Sequence, residues 1–296
     1  MRGAAPLAAL LLAAPATAQT GETCRPADDS NEAVTLATMA VPVAFAPAGA
    51  PAELAPWRVE LGVEFATVPE VDSADAVPTT CRPGKGAENV NLIGVLPRPR
   101  VRLGLPGGFT FEGSWVPPVK VNDVEANLIG VALGRPMAVL DGRAILNPRL
   151  HASVGRVNAP VTCPEEALDD PVSECFEGSV SDDRWEPDQF GVDVALAWRA
   201  GRLLPYAGAG WTHLTPTFQV NFTNSAGELD DTRVEVSLDR VALLAGLTWA
   251  ATPRLGVTAE AYAVPADAAT LRLAARYTLG SEPAEASGAG ADAVRR

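Results

Sequence analysis

Lysine is nearly missing from this chain of 296 residues. Lys85 and Lys120 are the only two, and the formal net charge is −13. A protein that tracks nucleic-acid phosphates needs clustered cations, so nucleic acid is excluded as a partner. Long apolar runs are missing as well. Past the first 18 residues nothing approaches the roughly 18 uninterrupted apolar positions of a spanning helix, so any membrane residence falls to strands or to peripheral contact.

What stands at the N-terminus is Met1-Arg2, the small apolar block AAPLAALLLAAPA and Ala16-Thr17-Ala18 ahead of Gln19. A charged start, an apolar middle and an A-x-A-like end are the layout of a cleaved secretory signal peptide over 1–18. In an exported chain paired cysteines are the default. The four here match no zinc spacing. Cys163 and Cys175 enclose a short acidic segment and form the local pair, which leaves Cys24 with Cys81 by elimination.

The body of the chain alternates. In WRVELGVEF, Trp57, Val59, Leu61, Val63 and Phe65 oppose Arg58, Glu60, Gly62 and Glu64, the period of two of a half-buried strand. The pattern returns at 100–105, 109–115, 126–134, 144–157, 190–199, 203–222, 233–250, 255–263 and 269–279. Short connections with turn chemistry (105–108, 140–143, 199–202, 251–254) alternate with longer acidic ones (69–90, 158–188, 223–232). Two short connections, 117–124 and 264–268, fall on the long-loop side.

The polar faces mix charges with very small residues: Gly62, Gly104, Gly130, Ala195, Ala197, Gly208 and Gly210. A face turned to bulk water has no steric need of them, but the inside of a narrow barrel does. The opposite faces run Val, Leu, Ala and Phe, with Trp57, Trp115, Trp198, Trp211, Trp249 and Tyr277 towards strand ends, as an interfacial girdle would place them. The expectation is an all-β, transmembrane, antiparallel up-and-down β-barrel of about ten strands over 57–279, between an N-terminal linker or lumen segment (19–56) and a flexible tail (280–296). The competing reading is a soluble secreted β-barrel binding module with the apolar residues as its core.

The block PRPRVRLGLPGGFTFEGSWVPP, the alternating strands, the leader and the stretch RYTL at 276–279 resemble small outer-membrane β-barrel proteins of an uncharacterised family in diderm bacteria. The resemblance covers roughly 57–279 and is at the level of a class. It implies residence in the outer membrane, with its lipids and the barrel-assembly machinery as partners, and no cofactor. The chain departs from that class in continuing past Leu279 as SEPAEASGAGADAVRR.

On the inferred inner face Arg58, Arg100, Arg102, Arg149, Arg199, Arg272 and Arg276 accompany Glu60, Glu64, Glu112, Asp193 and Glu260. Charges away from bulk water need partners. They form either an ion-paired plug or a narrow conduit for a small solute. The near balance of the two signs favours the plug. The expected function is that of a non-enzymatic envelope protein, structural or passing a small solute.

Other constellations are weaker. His151-Ala152-Ser153, with Glu165 and Glu166 beyond, is similar to the His-x-Ser of outer-membrane lipid A deacylases. This alternative, a lipid-modifying esterase, suffers because Ser153 shares the lumen face, and because Val154 stands where an asparagine is usual. His213 reads as interfacial. The acidic loop 169–188 offers Asp169, Asp170, Asp182, Asp183 and Asp188 to a Ca²⁺ ion but has no EF-hand spacing, so no metal is expected. Asn221-Phe222-Thr223 fits a glycosylation sequon without weight in a bacterial protein. If Cys24 pairs with Cys81 in an outer loop, residues 19–56 must pass up the barrel and plug it.

Overall fold

A computed structural model describes residues 23–280; the leader 1–18 and the tail from 281 onward lie outside the described residues. Ten strands form the wall: β1 Val59–Thr67, β2 Val95–Gly104, β3 Thr110–Val121, β4 Val124–Gly134, β5 Ala144–Ala159, β6 Gln189–Trp198, β7 Leu203–Leu214, β8 Leu238–Ala250, β9 Leu255–Val264 and β10 Ala268–Thr278. Each pairs antiparallel with its neighbour, and β10 returns to β1 with Leu273 opposite Phe65. The ring of pairings closes on itself, as a sheet embedded in lipid requires.

Burial settles which face is outside. Leu61, Phe65, Phe111, Leu150, Val241 and Leu273 are exposed, while Glu64, Arg100, Glu112, Arg149, Glu260 and Arg272 are buried. On the outer face Leu271 is 64% exposed, Leu273 61%, and Leu150 and Val241 60%. Trp57, Trp198, Trp249 and Tyr277 ring the end that carries both barrel termini, and Trp115 and Trp211 lie towards the other. Phe190, Trp211 and His213 form an outward aromatic cluster there, the His213 imidazole resting 5.2 Å from the Phe190 ring. Between Phe190 and Trp198 the strand runs about 26 Å at ~3.3 Å per residue, enough for the apolar band of a tilted membrane strand. Apolar out and charged in is the inverse of a soluble core, and the soluble-module reading fails on this ordering.

Three boundaries differ from expectation. β2 begins at Val95 and carries Pro97 and Pro99, because β3 pairs with it only from Arg100 onward and the prolines fall where that edge has no ladder partner. The segment 117–124 is no loop: β3 and β4 run on past a bulge between Val116 and Val119 to a tight turn at Asn122-Asp123, both left-handed. The long runs 203–222 and 233–250 each break, into β7 plus Thr217–Gln219 and into Arg233–Glu235 plus β8. Those fragments, with Asp183–Glu186 and Thr23–Cys24, extend β5 beyond the barrel as a small outer sheet.

Candidate functional site

The barrel contains its own N-terminal segment. Helix α1, Asn31–Ala40, starts at Ser30, whose hydroxyl accepts from the Ala33 amide. Its carboxylate Glu32 accepts the amides of Thr80 (2.7 Å) and Cys81 (2.8 Å), fastening the helix under the first outer loop. The chain then descends through the lumen as VPVAFAPAGAP, and every residue from 40 to 51 is buried. Alanine and proline suit this path: their side chains are small, and prolines bring no N–H that would need an acceptor.

The disulfide Cys24–Cys81, with Cα atoms 5.7 Å apart, ties this segment to the loop after β1; Cys163–Cys175 clamps the acidic loop. Residues 40–51 therefore run inside the lumen, whereas Thr23–Cys24 belongs to the small outer sheet and residues 53, 55 and 56 are exposed.

Wall arginines grip the segment by its carbonyls. Arg98 donates to Pro42 (2.7 Å), Arg100 to Ala46 (2.9 Å), Arg149 to Phe45 (3.0 Å) and Arg272 to Ala44 (3.1 Å). Arg102 reaches Ala52 (3.3 Å), and Arg276 bonds Pro47. Guanidinium has five donors and no acceptor, so one side chain can serve a carboxylate and a carbonyl together. Arg100 also holds Glu64 at 2.5 Å and Glu112 at 3.3 Å; Arg149 holds Asp193 at 3.1 Å; Arg102 pairs with Glu60. Arg272 lies between Glu64 (3.8 Å) and Glu260 (3.6 Å), and Tyr206 donates to Glu260 at 2.7 Å. On the far wall Ala44, Ala46 and Ala50 pack against Ala195, Ala197, Ala242 and Leu244.

Small residues on the inner face have the steric reason the sequence implied. A Cβ on Gly130 would sit 2.7 Å from the Phe45 ring, and one on Gly104 would sit 2.2 Å from the Ala55 carbonyl.

Of the residues read as lumen-lining, Glu60, Glu64, Arg100, Arg102, Glu112, Arg149, Asp193, Glu260, Arg272 and Arg276 meet inside the wall. Arg58 and Arg199 do not. Arg58 is half-buried at the rim and donates to the Leu279 carbonyl; Arg199 is exposed on a turn and donates to Gly142. Each lies past the end of its strand, where alternation no longer dictates direction. Sequence reasoning missed Arg98, masked between two prolines although it continues the parity of Arg100 and Arg102, and missed Phe45, Tyr206 and Gln189.

Ser153 donates to the Val43 carbonyl (3.1 Å), and His151 Nε2 lies 3.7 Å from Asp193. His213 pairs with Asp239 at 2.9 Å on the outer surface. In the acidic loop Asp183 accepts the amides of Val161, Thr162 and Asn221 and the Ser181 hydroxyl, so its oxygens serve the fold. Among the described residues no cluster of His, Cys, Asp or Glu has metal-binding geometry.

Fold and lumen together define an inside-out, self-plugged, ten-stranded antiparallel barrel. No family model matches the chain, and no curated protein matches it. Among solved structures it is similar to the attachment invasion locus protein Ail of Yersinia pestis (13% identity, 76% of this chain and 99% of that one, TM-score 0.30). It is also similar to the N-terminal β-barrel domain of Pseudomonas aeruginosa OprF (9%, 76% and 98%, 0.28) and to Neisserial surface protein A (11%, 75% and 96%, 0.28).

Proposed function

We propose that this protein is a non-enzymatic outer-membrane barrel, delivered there by a cleaved leader and the barrel-assembly machinery, whose lumen is closed by its own N-terminal segment. Its role is structural, and it passes no solute while the segment is seated. The observation that carries this reading is the set of arginine bonds from β2, β5 and β10 to the carbonyls of residues 42–47. They fill the cross-section a solute would need.

The sidedness of the loops supports an orientation with both barrel termini in the periplasm and the disulfide-clamped loops outside. Against the esterase alternative stand the position of Ser153 beneath the plug and its hydroxyl's bond to a backbone carbonyl, which leave a lipid ester no approach. The test is twofold. The protein should fractionate with the outer membrane and run as a heat-modifiable band, and the purified full chain in planar bilayers should give no steady conductance. Stable ohmic steps from the wild-type chain would overturn the closed lumen.

A further inference from the structure

Above the charged tier the inner wall changes character. Leu96, Ala126 and Leu128 point inward where β2 and β4 leave the level of the arginines, and with Met39 of α1, Trp185 and Phe218 they enclose an apolar cavity of about 70 Å³. A second chamber of about 50 Å³ shares Met39, Val90, Val161 and Phe218 with the first, so the two are neighbours beneath the first outer loop. Val90, Leu92 and Ile93 of that loop are only half-buried and form the side facing outward. The loop is pinned on either side of them, by Asn89 on Val161 (2.8 Å) and by Val68 on Gly94 (2.9 Å).

Two observations say what such a space would hold. Trp185, 6% exposed, lines the first chamber, and its indole N–H is buried with no acceptor. A buried donor left unpaired is costly and rare in a folded chain, and a ligand oxygen would relieve it. Then there is the charge. No lysine, arginine or histidine lines either chamber, and the charged residues that do are all acids: Asp183, Glu32, Asp75 and Glu88. An anionic ligand would meet like charge in a poorly solvated space. A cation finds no free partner in Asp183, which accepts four donors, or in Glu32, held by the Thr80 and Cys81 amides.

We propose that this cavity is a binding site for a small, neutral, apolar molecule carrying one hydrogen-bond-accepting oxygen, its chain among Leu96, Leu128 and Phe218 and its oxygen on the Trp185 N–H. Pro42 and Val43 of the lumen segment also line the cavity, so the site rests on the seating of that segment, and binding and conductance are read in separate experiments.

The probes are 2-hexanone and hexanoate, titrated calorimetrically into the full chain in lipid nanodiscs, with empty nanodiscs subtracted. The wild type should bind 2-hexanone saturably at one site, and hexanoate at pH 7.5 about ten-fold more weakly or less, since its charge must be buried. Trp185→Phe removes the donor while keeping an aromatic ring, and should weaken 2-hexanone about five-fold, the value of one hydrogen bond. Ala126→Trp fills the chamber and should abolish saturable binding; if that variant loses its heat-modifiable band, Leu128→Phe takes its place. Absence of saturable wild-type binding, hexanoate binding as well as 2-hexanone, or indifference to Trp185→Phe and to filling of the chamber would each overturn the proposal.

Discussion

The central carbon of the Arg100 guanidinium lies 4.2 Å from the centroid of the Phe45 ring, while the same side chain holds Glu64 at 2.5 Å. Arg149 and Arg98 approach that ring at 5.8 and 5.9 Å. One aromatic side chain of the plug therefore sits among three wall cations, in the space that Gly130 leaves open. Cation–π attraction is strongest when desolvated, and Phe45 is fully buried.

Phe45→Ala should cost about 3–5 kcal/mol of barrel stability, through the cavity and the lost contacts. It should also let the plug loosen, seen as flickering current in planar bilayers where the wild type is silent. Denaturant midpoints read from gel mobility give the first number. An unchanged midpoint together with silent bilayers would remove Phe45 as the anchor.

Arg149 and Asp193 face each other across the β5–β6 ladder in register, 3.1 Å apart. Breaking a buried pair leaves one charge uncompensated, whereas removing both leaves none. Arg149→Met should therefore destabilise by about 3–5 kcal/mol, and the double variant Arg149→Met with Asp193→Asn by clearly less than the sum of the singles. Because Arg149 also holds the Phe45 carbonyl at 3.0 Å, some loss should persist in the double variant. Additive penalties would mean that the pair does not couple.

The wall was legible in the sequence because its rule is local. Alternation from Trp57 to Phe65, and again from Ala269 to Leu279, assigns each side chain a face without knowledge of its partners. The rule falls short at the start of β2: the expected strand begins at residue 100, while Pro97 and Pro99 continue it along an edge without a ladder partner, which tolerates them. Arg58 and Arg199 keep the parity of their strands but lie beyond them. The plug was legible only through Cys24, since nothing in AVPVAFAPAG names its partners. Its carbonyls carry the interaction, and every residue has one. The apolar upper tier was hidden for a related reason: Ala126 and Leu128 share the parity of Gly130 and Ala132, and only height along the strand separates the chemistries.

Leu150 pairs with Leu133 on one side and Val192 on the other, in the middle of the outward belt. With lipid against that belt, Leu150→Arg should cost about 2–4 kcal/mol in liposome unfolding experiments. The same change on a water-facing surface would fall within about 0.5 kcal/mol of zero. A near-neutral result would contradict membrane burial of this face.

The outer loops carry a pH dependence of their own. Arg82 pairs with Glu88 and lies 2.7 Å from Glu174 and 3.5 Å from Asp230, and Lys85 adds a contact to Glu174 at 2.5 Å. Burial pushes the Glu88 carboxyl up to about 7, against the pull of Arg82 and with the nearby Asp183 carboxylate adding to the rise. The unfolded chain releases this proton near the ordinary value of 4.5. Between about pH 4.5 and 7 the folded loops thus hold a proton that the unfolded chain has lost, and this group withdraws stability as pH rises through that window. Glu88→Gln keeps an acceptor for Arg82 without the buried charge. Trypsin reports on local opening at Lys85 when reclosing outruns cleavage, the bond after Arg82 being resistant because Pro83 follows it, so the wild-type rate divided by the Glu88→Gln rate at each pH cancels the protease's own pH profile. That ratio should climb from pH 5 to 8 by the equivalent of about 1–3 kcal/mol and level off above. A flat ratio would mean that Glu88 stays ionised in the folded loops throughout, with Arg82 outweighing burial.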